Sequence, residues 1–400
     1  MARVLFINGG SEGHINPTIG LVQELVRRGE EVVYCIADQY RDRIKQEGVE
    51  VITFDIGKFV EAFLAGGRSP WGRVSGLLRT ADIIIPCVLE QTKGKRFDYI
   101  IHDSMFGCGR LLAQILGLPA INSYTSFAFQ QNSFDRLQEQ VMQQFPSEVN
   151  DRAQQEFQQL AGKLEAKYNV HVGSAYEVSC NPAPLSIVYT SKSFQPDGVS
   201  FDDSFKFIGP SIVTRSSDPF EFAHVDMDHL IYISFGTVIN RAVDFYKLCF
   251  AAFGETKYSV LLSLGGQTLI AELGEIPKNF SVHSYVPQLE VLQKAKLFIT
   301  HGGMNSTSEA LYYGVPLIVI PQSADQPMVA KRVAETGAGV HINQEGLTAE
   351  ELREMADRVT KDTSIRKAAL EMGDSFRAAG GYHRAAEEIF AYKRSLGLNN

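Results

Sequence analysis

Tryptophan occurs once in these 400 residues, cysteine five times, and positive charge is in deficit, with 38 Lys and Arg against 46 Asp and Glu and a formal net charge of −8. Each scarcity excludes something. A chain whose affinity came from neutralising phosphates along a nucleic acid or an anionic bilayer would carry the opposite sign. The cysteines (Cys35, Cys87, Cys108, Cys180 and Cys249) are odd in number, widely spaced and free of any C-x-x-C pair. That pattern indicates neither a disulfide framework nor a zinc site, and buried thiols are expected. No apolar run approaches the ~20 residues of a membrane span, and the run from Val4 to Ile7 is too short for a signal-peptide core. The expectation is a cytoplasmic chain with no membrane span and no nucleic-acid partner. A content of 44% hydrophobic against 21% charged residues excludes wholesale disorder, and the length suggests two or three domains at roughly 150 residues each.

What is present is an alternation of short β-branched runs with helical periodicity, the pattern of a parallel sheet covered by helices. Residues 4–7 read as a first strand, followed by a glycine-rich turn. Asn16 then stands as a helix N-cap with Pro17 at the first helical position, and the apolar stripe Ile15, Ile19, Val22 and Val26 ends at Gly29. Further strands are predicted at 31–36, 49–54, 98–102 and 120–122, with a Gln-rich solvated helix over 130–167, and the half ends near 187–190. Residues 207–228, with two prolines and several small polar residues, read as a linker. Beyond it strands are predicted at 230–235, 260–264, 281–285, 297–300 and 317–320, and Thr348 with Glu351 forms a capping box. The division is thus an α/β domain over 1–206, the linker, a second α/β domain over 229–385 and a final helix over 386–400.

In open α/β sheets ligands bind beyond the carboxyl ends of strands. In the second half polar and glycine residues gather there four times: Gly236 and Thr237; Tyr285, Pro287 and Gln288; His301, Gly302, Gly303 and Asn305; Asp325 and Gln326. In HGGMNSTSEALYYGVP the glycines permit close backbone approach, and a helix starting near Asn305 or Ser306 would point its unpaired N–H groups at the same space, as a phosphate seat requires. Glu309 shares a helix face with Asn305, and its carboxylate suits a vicinal diol such as a ribose. A plain N-cap with an exposed glutamate also fits that segment alone; the other three clusters favour the seat. In the first half, His14 follows a strand and a glycine-rich turn, and Asp103 ends another strand. A carboxylate on one ring nitrogen would fix the tautomer and stabilise the imidazolium when the other nitrogen takes a proton. Strand alternation sends His102 to the opposite face, so it reads as structural.

The run from Tyr285 to Ala330, about 45 residues, resembles the donor-binding signature of the family 1 nucleotide-sugar-dependent glycosyltransferases, most closely the bacterial macrolide and flavonoid glucosyltransferases of bacilli. The likeness extends through SEGHINP at 11–17, HDS at 102–104, FIGPS at 207–211 and ISFGT at 233–237. It implies the GT-B fold: two facing Rossmann-like domains with an interdomain cleft, acceptor in the first, UDP-sugar in the second, and the C-terminal helix crossing back onto the first. Carried over, Tyr285 matches the aromatic that stacks on uracil, Gln288 lies at base and ribose, His301 bonds the diphosphate, and Gly303, Asn305 and Ser306 match the helix-start phosphate contacts with Thr237 opposite. Glu309 matches the ribose acceptor, and Asp325 with Gln326 the pair that holds sugar hydroxyls. His14 and Asp103 match the base and its orienting partner. Tyr285 and Met304 stand where many plant members have tryptophan.

The implied activity is inverting, metal-independent transfer of a hexose, glucose by the Asp325–Gln326 match, from a UDP-sugar co-substrate to a hydroxyl of a small apolar acceptor. No cofactor is implied. Asp226-Met227-Asp228 is a D-x-D, but it precedes its strand, on the edge away from the predicted site. Phe59, Phe63, Trp71, Phe106, Phe127 and Phe129 fall in segments that could line an acceptor pocket, though such residues also build cores. Three other readings stay open: a UDP-sugar epimerase of the same fold, a non-catalytic nucleotide-sugar sensor, and a nicotinamide-dependent oxidoreductase suggested by Asn8, Gly10, Gly13 and Asp38.

Overall fold

The computed structural model describes residues 2–213, 220, 222, 225–236, 241–323 and 325–398. Part of the expected linker (214–219, 221, 223 and 224) and Thr237 lie outside the described residues. The chain forms two units. One comprises the residues up to Tyr189, Val199–Ser211 and those from Tyr382; the other comprises Thr190–Gly198 and Ile212–Gly381.

In the first unit the elements are β1 (Arg3–Ile7), α1 (Glu12–Arg27), β2 (Glu31–Ala37), β3 (Val49–Phe54), α2 (Ile56–Ala65), α3 (Pro70–Gln91), β4 (Tyr99–Asp103), α4 (Gly109–Leu116), β5 (Ala120–Tyr124), α5 (Gln131–Met142), α6 (Ser147–Tyr168), α7 (Ala175–Cys180), β6 (Leu185–Val188) and β7 (Phe205–Phe207). The strands run in the order β3-β2-β1-β4-β5-β6-β7. Every pairing is parallel, with Ile7 opposite His102 and Asp103 opposite Ser123. Because the sheet is covered on both faces, its central strands β1, β2 and β4 are largely buried along their length, while the edge strands β3 and β7 are only partly so. The order reverses between β1 and β4, and a doubly wound sheet opens a crevice at the carboxyl ends of such a pair.

The second unit repeats that plan: β8 (Leu230–Ser234), α8 (Val243–Phe253), β9 (Ser259–Ser263), β10 (Phe280–His283), α9 (Gln288–Leu292), β11 (Leu297–Thr300), α10 (Met304–Tyr312), β12 (Leu317–Val319), α11 (Gln326–Glu335), β13 (Gly339–His341), α12 (Ala349–Lys361) and α13 (Thr363–Ala378). The order is β10-β9-β8-β11-β12-β13, all parallel, and here the reversal falls between β8 and β11. The capping box at Thr348 and Glu351 is present, and Leu352 is buried with Leu347 packed on the same cluster. Helix α14 (Gly381–Ser395) joins the first unit, where Ala385, Ala386, Ile389 and Phe390 cover one sheet face. Lys393, buried, pairs with the buried Glu30, which also accepts a 2.9 Å bond from Tyr99 Oη. The Lys393 ammonium lies 4.6 Å from the Phe390 ring centre and 5.3 Å from that of Tyr99.

Several features differ from the sequence expectation: the final helix runs Gly381–Ser395 rather than 386–400, Thr190–Gly198 belongs to the second unit, and two helices in the first unit start or break elsewhere. Helix α1 starts at Glu12, not after Asn16: Ser11 is extended, its carbonyl accepts the N–H groups of His14 (3.1 Å) and Ile15 (3.2 Å), and Pro17 sits inside the helix. His14 therefore rides on the first helical turn rather than on a loop. The Gln-rich stretch is two helices, because Pro146 ends the run between α5 and α6; Phe157 and Leu164 of α6 are buried.

Candidate active site

Adjacent strands bring together two residues 89 positions apart. Asp103 ends β4 beside β1, and His14 stands one helical turn beyond β1, so His14 Nδ1 lies 2.7 Å from Asp103 Oδ2. The Asp103 side chain is 1% exposed and that of His14 24%. The other carboxylate oxygen accepts the N–H of Met105 at 2.7 Å. An ionised carboxylate only accepts, so the hydrogen on the shared contact belongs to Nδ1, and Nε2 carries the lone pair. Thr125, buried just past β5, puts Oγ1 3.0 Å from the same Nδ1. Below the ring a buried polar knot holds the turn: Asn8 Nδ2 donates to the His14 carbonyl (3.0 Å) and meets Tyr34 Oη, while Thr18 Oγ1 lies 2.7 Å from Tyr34 Oη. Neither Thr125 nor this knot was among the sequence candidates.

His102 takes the opposite face, fully buried against Gly109, where a Cβ would lie 2.4 Å from His102 Cβ. Burial lowers its ring to about 4, so it is a neutral core residue. Two of the expected acceptor-wall aromatics are core as well. Phe106 is buried and packs on Phe54 and Phe59 at 5.5 and 5.3 Å, Phe127 is buried, and Trp71 lies 5.1 Å from Phe157. Phe59, Phe63, Trp71 and Phe129 stay partly exposed, so the packing accounts for Phe106 and Phe127 alone as core.

In the second unit the corresponding strand pair carries another histidine. His301 follows β11 and Gly236 follows β8; a Cβ on Gly236 would lie 2.9 Å from the ring's Cε1, and one on Gly303 would lie 2.7 Å from Nε2. Gly236, at φ +75°, also has the backbone that L side chains avoid. Burial lowers His301 to about 4, so at neutral pH it offers an N–H and not a cation. Helix α10 begins at Met304 with Gly303 as an N-cap that has no side chain to give, which places Asn305 and Ser306 in the first turn rather than at the cap. The unpaired N–H groups of that turn and the positive end of the helix dipole suit an anion.

Glu309 is not an exposed helix glutamate. At 2% exposure it accepts from Gln288 Nε2 at 2.6 Å, and that amide also reaches Ser306 Oγ at 3.2 Å. Tyr232 Oη donates to Gln288 Oε1 at 3.2 Å. Tyr285 is 60% exposed, as a ring available to stack on a planar ligand must be. Asp325 stands at the N-cap position of α11 without a side-chain capping bond, and Gln326 Oε1 accepts the N–H groups of Gln322 (2.8 Å) and Ser323 (3.0 Å), so a bond from Gln326 to a ligand would come from its amide nitrogen. Thr237 lies outside the described residues. Asp226 of the D-x-D caps a short turn: Oδ1 accepts from Asp228 N and Oδ2 lies 2.9 Å from His229 Nδ1. Among the described residues no group of three His, Cys, Asp or Glu side chains is arranged to hold a metal, and no helix is long and apolar enough to cross a membrane.

Two parallel α/β units, each with a histidine at the strand reversal, define a GT-B glycosyltransferase scaffold, and comparison with known proteins agrees. Residues 4–90 match the glycosyltransferase family 28 N-terminal domain, and residues 248–384 the erythromycin biosynthesis protein CIII-like C-terminal domain. The chain is 35% identical to YojK, an uncharacterised UDP-glucosyltransferase of Bacillus subtilis, with 97% of each chain covered. It is 34% identical to the NDP-glycosyltransferase YjiC of the same organism, covering 98% of this chain and 97% of the relative. Among solved structures it is similar to CalG4, the calicheamicin glycosyltransferase, with a TM-score of 0.85, 28% identity and 99% of each chain covered. The chain belongs to the family 1 UDP-glycosyltransferases and is a glycosyltransferase enzyme.

Proposed function

We propose that the enzyme transfers glucose from UDP-glucose, with inversion and without a metal, to a hydroxyl of a small apolar acceptor such as a phenol, flavonoid, macrolide or terpenoid. The observation that carries this reading is the 2.7 Å contact between His14 Nδ1 and Asp103, which leaves Nε2 as a base. An acceptor hydroxyl gives its proton to Nε2 as its oxygen attacks the anomeric carbon. The bond from that carbon to the diphosphate breaks on the opposite face, so an α-linked donor yields a β-glycoside in one displacement. Asp103 stabilises the imidazolium that forms.

The leaving diphosphate gains negative charge. The N–H groups at the start of α10, Ser306, Thr237 and the neutral ring of His301 are the donors assigned to it, each worth ~2–4 kcal/mol in a dry site. Glu309 takes ribose hydroxyls, Tyr285 stacks on the base, and Asp325 with Gln326 faces the sugar. UDP-glucose as donor is supported by the likeness to YojK, and a natural-product acceptor by the likeness to the calicheamicin enzyme. Mass spectrometry of products from purified protein, UDP-glucose and a panel of phenols and macrolides, with and without EDTA, tests it. Glucosylated product that survives chelation is expected; no product from any acceptor, or activity abolished by EDTA, overturns it.

A further inference from the structure

Tyr232 lies in the middle of β8, is 1% exposed and stacks on Phe298 with ring centres 4.7 Å apart and planes 9° from parallel. Phenylalanine would fill that space. A buried hydroxyl costs stability unless it is hydrogen-bonded, so its use is to be sought in its partner. Ser234 and Ser263 also bond with this hydroxyl inside the unit, and outward its partner is Gln288 Oε1 at 3.2 Å, on the first residue of the five-residue helix α9.

The direction of each bond is determined. A carboxylate cannot donate, so the 2.6 Å contact with Glu309 Oε2 must be made by the amide nitrogen of Gln288. The amide oxygen then faces Tyr232, and the phenol is the donor. Burial pushes that phenol up, well beyond the pH range in which it would lose its hydrogen. A chain of donors therefore runs from the centre of the sheet to the carboxylate: Tyr232 O–H to Gln288, then Gln288 N–H to Glu309 and to Ser306 Oγ.

We propose that Tyr232 is a positioning residue for the nucleotide: through Gln288 it fixes the carboxylate of Glu309 for two vicinal hydroxyls, and so makes the second unit select ribonucleoside over 2′-deoxyribonucleoside diphosphates. The inference rests on the nucleotide-donor reading above. Without the phenol the amide keeps its bonds to Glu309 and Ser306 but loses the donor that fixes its oxygen, so the carboxylate is held less closely. The loss falls on ligands that present both hydroxyls, because a deoxyribose does not use the full geometry.

Calorimetric titration of the full-length protein with UDP and with 2′-deoxy-UDP tests this in the wild type, Tyr232→Phe, Gln288→Ala and the double variant. In the wild type UDP is expected to bind about tenfold more tightly than 2′-deoxy-UDP, the worth of one charge-assisted hydrogen bond. Tyr232→Phe is expected to weaken UDP about fivefold and 2′-deoxy-UDP less than twofold. The change appears in the KM for donor rather than in kcat. The double variant is expected to be no worse than Gln288→Ala, since the two residues act as one unit.

Equal losses for both nucleotides, or an unchanged ratio, would mean that Tyr232 serves only the core, and the proposal falls. If Tyr232→Phe does not fold, an unchanged ratio in Gln288→Ala overturns it equally. Failure of the wild type to bind any nucleoside diphosphate would instead overturn the donor reading itself.

Discussion

His102 and Asp103 are consecutive, and the strand that carries them turns one into the core against Gly109 and the other onto the ring of His14. The two therefore answer to different measurements. Asp103→Asn keeps the shape but allows the wrong tautomer of His14, and kcat is expected to fall by roughly 10³–10⁴. His14→Ala removes the proposed base and should cost at least as much, while UDP affinity stays within about twofold, because the nucleotide contacts proposed above belong to the other unit. Steady-state kinetics with calorimetry of UDP binding checks both; a parallel loss of nucleotide affinity counts against the assignment.

Thr125 shares Nδ1 of His14 with Asp103 at 3.0 Å, and a hydroxyl there limits how far the ring can swing. Thr125→Val is expected to lower kcat about tenfold, the scale of one hydrogen bond, and Thr125→Ser to restore most of it. The pH profile of kcat/KM distinguishes a positioning role from a packing one: its acidic limb should move in the valine variant and return in the serine variant.

Burial holds both His102 and His301 at about 4, below the ordinary 6.5 that an unfolded chain would show. Between those values the unfolded chain binds protons that the folded one refuses, so stability is complete above pH ~6.5 and is lost as the pH falls toward ~4, at about 1.4 kcal/mol per pH unit for each histidine. Glu24 behaves in a lower window. Hydrogen bonding from Arg27, then from Arg28, lowers it to about 2, so its contribution is present above 4.5 and is lost as the pH falls through about 2. Urea unfolding of the wild type and His102→Leu from pH 7 to pH 4.5 checks the first claim: the variant's slope should be shallower by one histidine's share.

Lys393 and Glu30 are both buried, and removing one charge leaves the other unpaired. Lys393→Met is expected to cost roughly 3–5 kcal/mol, seen as a lower urea midpoint. Lys393→Met combined with Glu30→Gln should recover much of that loss, since no uncompensated charge remains. Equal midpoints for the single and double variants would show that the methylene packing of Lys393, rather than its charge, is what matters.

Much of this was legible because parallel strands end where ligands bind. His14 and Asp103, at the ends of neighbouring strands, could be paired from the sequence, and the structure brings them to 2.7 Å; the role given to His301 came from the family resemblance rather than from spacing, and so, in part, did that of Glu309. The start of α1 was not legible, since Asn16-Pro17 imitates a cap followed by a first helical residue while the real start lies among glycines. The three-residue strands β7 and β13 are too short for a period to show. Thr125 belongs to no motif, and Tyr232 reads as an ordinary aromatic of a buried strand; only the register of neighbouring strands gives either a partner. Whether the six first-half aromatics build core or pocket was not legible either, because a ring in a sequence gives no sign of whether it meets another ring or a ligand; Phe106 and Phe127 are buried, while Phe59, Phe63, Trp71 and Phe129 keep partial exposure.

The placement of α14 governs how this protein can be cut and recombined. A fragment ending near residue 211 would bare the apolar patch now shielded by Ala385, Ala386, Ile389 and Phe390, and would strand Glu30 without its ammonium partner. Chimaeras that exchange one half for that of a relative must therefore inherit residues 382–395 from whichever parent donates the amino-terminal half, or the graft will carry a mismatched seam.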